Sequence, residues 1–181
     1  MAMLSMLACA AAAFATTIRP ITVEQLTEGS SLVIEGRAVS SYAAWDRKQQ
    51  NIYTYTSFAV KKVLKGGVRG DTVVVKQIGG QVDDTEERLV GVHYFAAGEE
   101  AVLFLFPSPN ADGTMLVTGL MQGRFAVRRA GGAATVSNGV PVPAHSASTR
   151  EPRAPVAQDS GMTLTTLEQR VRSAAKSKAE E

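Results

Sequence analysis

The segment "SLVIEGRAVSSYAAWDRKQQNIYTYTSFAVKKVL", residues 31–64, decides the fold class of this chain. Both of its halves are rich in β-branched and aromatic residues, and the polar residues 46–51 between them are typical of a hairpin tip. The half that starts at Ile52 alternates between two faces and is too long for a flat strand. Gly36 offers a place for a bulge or bend in the other half. We therefore predict a long, strongly coiled first hairpin, as in a β-barrel.

Further strand signals follow this hairpin at short, regular spacing. Residues 101–106 are apolar on both faces and should lie at the centre of the fold. Asn138-Gly139 is a type I′ hairpin signal, and Gly79-Gly80 would let a coiled strand leave the sheet before a polar loop at residues 81–88. The remaining predicted strands are residues 72–78, 89–95, 114–120 and 123–129.

Helices are predicted only at the two ends of this strand-rich region. Thr22 and Gln25 have the spacing of a capping box, which indicates a short helix over residues 23–28, and Gly29 can end it. The C-terminal residues 163–181 form an amphipathic pattern in which Thr165 is the predicted cap. The other residues of that pattern are Glu168, which closes the box, and the apolar stripe Leu164, Leu167 and Val171, extended by Ala174 or Ala175.

The N-terminal residues 1–15 are predicted to be a signal peptide, because an apolar run ends in Ala13-Phe14-Ala15. Cleavage after Ala15 would remove Cys9, the only cysteine, and leave no disulfide and no thiol nucleophile. An alternative is a lipoprotein acylated at Cys9. Either way we predict an exported protein, periplasmic or secreted, without a stable membrane span in the mature chain.

The composition fits one globular domain with additions. The chain has 181 residues, of which 45% are hydrophobic, and a net charge of +2. That size supports a single core, and we assign it to residues 16–140. Residues 141–162 are rich in Pro, Ser and Ala and read as a linker. Interspersed charges and only 6% aromatic residues argue against nucleic-acid binding.

Many short strands with helices only at the ends predict a mainly β domain, either an antiparallel barrel or a sandwich. We favour a five-stranded Greek-key barrel of the OB type with an extra hairpin, a short N-terminal helix and a C-terminal helix. The immunoglobulin sandwich is the weaker alternative, because its Cys, Trp, Cys spacing is absent.

The order of segments resembles the netrin-like OB-fold module, which includes the tissue inhibitors of metalloproteinases. The matching stretches are "LTEGSSLVIEGRAVSSYAAWD", "IYTYTSFAVKKVLKG", "DTVVVKQIGG", "GEEAVLFLF" and "LVTGLMQGRFAV", within residues 21–128. The same order is similar to a group of uncharacterised bacterial exported proteins. The resemblance implies an OB fold and a partner protein, with a protease as one option.

This chain departs from the inhibitors in two ways. Their first residue is a cysteine whose amine and carbonyl chelate the protease zinc, whereas the predicted mature start here is Thr16-Thr17-Ile18. The disulfides of the family are absent as well. The resemblance therefore extends to the fold and to no inhibitory residue.

Catalytic and metal-binding patterns are weak. The only histidines are His93, on a predicted strand, and His145, in the linker, so a histidine-based metal site is not expected. The acidic run at residues 83–87 lacks the spacing of a calcium loop, and the double glycine lacks the Lys-Ser/Thr of a phosphate-binding loop. We predict no metal, no cofactor and no enzymatic activity.

Our leading hypothesis is a binding module that recognises another protein in the envelope or outside the cell, through loops carried on a rigid scaffold. One alternative is a metal-dependent or acid/base hydrolase that uses His93 with the carboxylates of the 83–87 loop. Another is a structural scaffold that docks through its C-terminal helix. The candidate binding residues are Tyr42, Trp45, Tyr53 and Tyr55 near the first hairpin, and Asp83, Asp84, Glu86, Glu87 and Arg88 in the polar loop.

Overall fold

The computed structural model describes residues 20–139, 141–142, 156–157 and 162–177. The predicted signal peptide, Cys9, His145 and most of the predicted linker lie outside these residues. In the ranges that are described, neither helix combines the length and apolar character needed to cross a bilayer.

The protein is mainly β, as predicted, with a helix near each end of the described chain. The helices are α1 (Val23–Glu28) and α2 (Leu164–Ser177). The strands are β1 (Leu32–Trp45), β2 (Ile52–Lys65), β3 (Thr72–Ile78), β4 (Gly80–Val82), β5 (Thr85–Glu87), β6 (Glu100–Pro107), β7 (Met115–Val117), β8 (Arg124–Ala130), β9 (Ala133–Ser137), β10 (Pro141–Val142), β11 (Val156–Ala157) and β12 (Met162–Thr163).

The predicted first hairpin is confirmed. Strands β1 and β2 are each 14 residues long and pair antiparallel along most of their length. Their register shifts at three places, one of them at Gly36, where an added Cβ would lie 3.0 Å from the Ala59 carbonyl oxygen. Such irregularities bend and twist a strand, which lets β1 pair with β2 on one side and with β6 on the other.

The main sheet is mixed and has the strand order β1-β2-β3-β7-β6-β8-β9-β12, with an additional pairing of β1 to β6. Its neighbours are antiparallel except β3 and β7, which run parallel. Only the pair Val75 and Met115 joins those two strands. Beyond that pair the two strands share no further ladder pairs, and a gap opens between them.

Strand β6 is buried on both faces, as its continuous apolar sequence predicted. Val102 and Phe104 belong to a core cluster with Phe125 and α2, whereas Leu103 and Leu105 belong to a second cluster on the opposite face. All four side chains are fully buried. Because successive strand residues point to opposite faces, this one strand joins the two cores.

The capping box of α1 is confirmed. The Gln25 amide donates to the Thr22 hydroxyl oxygen at 3.2 Å, and the Thr22 amide donates to Gln25 Oε1 at 3.0 Å. The start of α2 differs from the prediction, because the amide of Thr166, the third helical residue, donates to Thr163 Oγ1 at 3.1 Å, which makes Thr163 the cap instead of Thr165. Pairing of β12 with β9 ends at Thr163 and places it there.

Helix α2 packs on the sheet through its predicted apolar stripe. Leu164, Leu167 and Val171 are buried in the first core cluster. Arg170 also reaches α1, where its Nε and Nη2 donate to the two carboxylate oxygens of Glu24, each at 2.9 Å. This bidentate pair, against a smaller effect of burial, lowers the pKa of Glu24 to about 2. The apolar face of the helix is therefore occupied by the chain itself.

Two local predictions are wrong. Residues 89–95 do not form a strand, because Gly91 has a φ of +91° within a tight turn that the Val92 amide closes onto the Leu89 carbonyl oxygen at 3.1 Å. Asn138-Gly139 does not turn a hairpin between described strands, since β9 pairs with β8 and β12. The hairpin turn before β9 is Gly131-Gly132, and both glycines have the positive φ that a type I′ turn needs.

Candidate functional site

Tyr42 and Tyr55 form a stacked aromatic pair near the end of the first hairpin. They are direct cross-strand partners, and their ring centroids lie 5.2 Å apart with planes inclined by 18°. Tyr42 remains 61% exposed. Tyr53 lies two residues before Tyr55 on β2 and therefore shares the same face. Three of the four predicted aromatic residues thus lie on one surface.

Trp45 belongs to the opposite face of the hairpin. Its cross-strand partner is Ile52, which is fully buried. Because residues directly opposite in an antiparallel pair point to the same side, Trp45 lies on the inner side of the hairpin. The four aromatic residues therefore do not form one cluster.

Lys76 lies under the tyrosine surface, and sequence reasoning missed it. Its Nζ lies 4.3 Å from the ring centroid of Tyr53 and 5.6 Å from that of Tyr55, within the range of a cation–π contact. It also pairs with Asp112 Oδ2 at 3.0 Å. Burial disfavours its charge, but the Asp112 carboxylate and the tyrosines raise the net pKa of Lys76. A lysine within the apolar strand "TVVVKQI" was the available signal.

The predicted polar loop is itself a small hairpin. Strands β4 and β5 are antiparallel, with Gly80 opposite Glu87 and Val82 opposite Thr85. Asp83, with a φ of +51°, begins the turn between them. Asp83 and Asp84 are exposed.

The remaining charged residues of this hairpin have local partners. Glu86 forms an ion pair with Arg88, and Glu87 Oε2 accepts from the Ile52 amide at 3.1 Å. Glu87 thereby ties the hairpin to the start of β2. Within the residues that the structure describes, no three His, Cys, Asp or Glu side chains are placed to hold a metal ion.

His93 pairs with a carboxylate outside the predicted loop. Its Nε2 lies 2.9 Å from Glu99 Oε2, and Arg124 donates to Glu99 Oε1. Burial opposes ionisation of Glu99, but the hydrogen bonds from Arg124 and His93 hold its pKa below its usual value. The hydrolase hypothesis pairs His93 with the carboxylates of residues 83–87, whereas the carboxylate that contacts His93 in the structure is Glu99.

A pocket of about 290 Å³ opens where β3 and β7 separate. The segment around His93 partly fills the gap and is tied to β3 by side chains. Gln77 Nε2 donates to the His93 carbonyl oxygen at 2.8 Å, and the Tyr94 hydroxyl donates to the Ile78 carbonyl oxygen at 3.0 Å. The single pair at Val75 leaves the rest of this gap open, which explains the location of the pocket.

The walls of the pocket are mostly apolar, with a few polar groups. Its apolar lining includes Phe95, Phe106, Leu116, Val117, Leu120 and Met121. Lys76, Gln77, His93 and Arg124 supply the polar groups. An apolar pocket with a few convergent polar groups is the usual form of a small-ligand site.

Two loops beside the pocket expose apolar side chains. Leu89 and Val90 lie on the turn that follows the β4–β5 hairpin, and Leu120 lies between β7 and β8. The loops adjoin, since an added Cβ at Gly91 would lie 3.3 Å from Met121 Sδ. We name Leu89, Val90 and Leu120 the loop patch. Val90 is fully exposed.

Glu100, next to Glu99, provides a pH-dependent contribution to stability. Lys61 Nζ at 2.6 Å and Arg129 Nε at 3.1 Å, with Arg37, lower its pKa from 4.5 to about 2 despite the effect of burial. Because the pKa is lowered on folding, the stabilisation is complete above pH 4.5 and is lost as the pH falls toward 2. We expect Glu100→Gln to lower the free energy of unfolding at pH 7 by about 1 kcal/mol.

The check is urea unfolding of Glu100→Gln and the wild type between neutral pH and pH 2. The variant should lose less stability than the wild type on acidification, so that the difference between them narrows. Asp84→Asn, which changes an exposed carboxyl in the β4–β5 turn, is the control. If the free energy of unfolding fell equally with pH in the wild type and in Glu100→Gln, Glu100 would not be the source of the pH-dependent stability.

No model of a known protein family matches the chain, and no curated protein matches it at a significant level.

Proposed function

We propose that this chain is an exported, non-enzymatic binding module that recognises another protein in the envelope or outside the cell. The observation that carries the proposal is the loop patch, where three large apolar side chains are exposed on adjoining loops. Exposed apolar side chains grouped together often mark an interaction surface. Export is inferred from the apolar leader.

We infer that the scaffold is an OB-type barrel. The support is the order of pairings β1-β2-β3-β7-β6, together with the additional pairing of β6 to β1. This series contains five strands, the number in an OB-type barrel. The order of the segments that resemble the netrin-like module supports the same inference. The single pair between β3 and β7 makes that position the weakest part of the ring.

The surroundings of the loop patch indicate the chemistry of the partner. The exposed Asp83 and Asp84 lie on the hairpin that leads directly into Leu89 and Val90. A partner with an apolar centre and basic residues at its edge would complement this surface, since opposite charges at the rim favour encounter. The resemblance to the netrin-like module makes proteases the first class of partner to assay.

The function is tested by immobilising the mature chain and capturing proteins from envelope and culture-supernatant extracts. We expect a stoichiometric partner whose retention is lost in the double variant Leu89→Ser/Val90→Ser. Asp83→Asn/Asp84→Asn should weaken retention most at low salt, because exposed charges are screened by ions.

Val39→Ser and Val63→Ser are matched controls, since both remove an exposed valine from the strands of the first hairpin. They should retain the partner at the wild-type level. Equal capture by the loop-patch variant, or no capture by a folded wild-type chain, would refute the proposal.

A further inference from the structure

Two buried side-chain atoms lack a hydrogen-bond partner in the described part of the chain, and both belong to residues that line the pocket between β3 and β7. These atoms are Gln77 Oε1 and Arg124 Nε, and both side chains line the pocket. Nearly all buried polar atoms in folded proteins are paired, so each unpaired one needs a reason. Two at one pocket point to a ligand that supplies the missing partners.

The chemistry that each atom requires is defined by its neighbours. Gln77 Nε2 donates to the His93 carbonyl oxygen at 2.8 Å. Because a carbonyl only accepts, the amide orientation is set, and Oε1 is left as an acceptor. Arg124 donates through Nη2 to Glu99, which leaves its Nε–H as a donor. A ligand that pairs with both atoms must therefore both donate and accept a hydrogen bond.

The pocket does not require a charged ligand. Its Lys76 pairs with Asp112, and its Arg124 pairs with Glu99. Each positive charge is thus already balanced by a carboxylate, so that an added anion would gain little and would lose its hydration. A neutral ligand fits the electrostatics better.

The volume and the lining of the pocket indicate the size and polarity of the rest of the ligand. An apolar cavity of about 150 Å³ accepts benzene, and this pocket measures about 290 Å³. Aromatic and aliphatic side chains form most of its lining, among them Phe95, Phe106 and Leu116. The space is suited to an apolar body of about two rings.

We propose that this pocket binds a neutral, mainly apolar small molecule that carries a hydroxyl group, the smallest group that both donates and accepts a hydrogen bond. The hydroxyl meets Gln77 Oε1 and Arg124 Nε, and the apolar body lies against Phe106 and Leu116. The pocket and the loop patch share Leu120, but Leu89 and Val90, whose replacement tests the loop-patch function, are not part of the pocket lining.

The test uses 2-naphthol as the probe and naphthalene as its match without the hydroxyl, each titrated into the full chain and followed by two-dimensional amide NMR. We expect 2-naphthol to shift amides around the pocket and to bind about tenfold more tightly than naphthalene, the effect of one well-placed polar group. Arg124→Lys keeps the positive charge beside Glu99 but removes the Nε–H, so it should reduce that preference.

Val117→Phe should fill the pocket and abolish binding, whereas Val63→Phe makes the same substitution at a residue outside the pocket lining and should not. Leu120→Trp, at the exposed edge of the pocket, is a second blocking variant if Val117→Phe does not fold. Three results would overturn the proposal: no binding to the folded wild type, equal affinity for both compounds, or unchanged binding in the folded blocking variants. None of these results depends on protein capture.

Discussion

Leu167→Ala is expected to lower the free energy of unfolding by about 3 kcal/mol, within the range for removing a fully buried leucine side chain. Leu167 has no exposed surface and lies in the core cluster that joins α2 to the sheet, together with Phe104 and Phe125. Its replacement would leave a cavity between the helix and the sheet. Chemical denaturation of both proteins at one pH gives the difference directly.

The control for this variant is Gln169→Ala, on the same helix at an exposed position. Both variants introduce alanine into the same helix, so both include the effect of alanine on helix propensity. Only Leu167→Ala also removes a buried side chain. We expect the control to stay within about 0.5 kcal/mol of the wild type, as exposed substitutions usually do. If Leu167→Ala had the same free energy of unfolding as the wild type, α2 would not form part of the core in solution.

This prediction also bears on the scaffold hypothesis. If α2 were a free docking element, its apolar stripe would be available to a larger assembly. Instead Leu164, Leu167 and Val171 are buried against the sheet, and Arg170 is paired with Glu24. Removing the helix should therefore destabilise the domain itself. The surface that α2 offers to a partner is limited to its exposed polar face.

Gly79→Ala is expected to destabilise the protein by about 3 kcal/mol, through positive-φ strain together with overpacking. Gly79 has a φ of +89°. A Cβ there would overlap the Tyr94 hydroxyl and would lie 2.6 Å from the Glu87 carbonyl oxygen. Relief of the overlap requires movement of the segment around His93, so the amides that shift in the variant should include those at the pocket.

Gly98→Ala separates the two causes. Gly98 has a nearly equal φ of +87°, but nothing lies within 4 Å of its added Cβ. Gly98→Ala should therefore lower the free energy of unfolding by about 1 kcal/mol, through backbone strain alone. The same loss of stability in both variants would show that the overlap with Tyr94 and Glu87 contributes nothing and that the segment is not packed against Gly79.

The elements that sequence predicted well are those with a local physical cause. The capping box is formed by Thr22 and Gln25, which are only three residues apart. The bend at Gly36 is possible because glycine has no side chain, and β6 is buried because its sequence is an unbroken apolar run. In each case the cause lies within a few residues, so pattern and propensity were sufficient. The apolar stripe of α2 was predictable for the same reason.

The wrong local predictions arose where distant parts of the chain decide the conformation. Residues 89–95 have the composition of a strand, but side-chain hydrogen bonds tie them to β3: Gln77 of β3 donates to the His93 carbonyl oxygen, and Tyr94 donates to the Ile78 carbonyl oxygen. The cap of α2 moved from Thr165 to Thr163 because β9 pairs with β12 up to that residue. These partners are remote in sequence, so composition could not reveal them.

Sequence alone determined a mainly β fold built on a long bent hairpin, a doubly buried central strand and a helix near each end, because those features depend on local periodicity and composition. The candidate site was decided by tertiary structure. Trp45 is separated from the tyrosines by strand alternation, Lys76 lies beneath them through pairing of β2 with β3, and the pocket exists because β3 and β7 meet at one residue pair. A site assembled from several strands depends on register and on gaps between strands, and these follow from pairings between residues far apart in the chain.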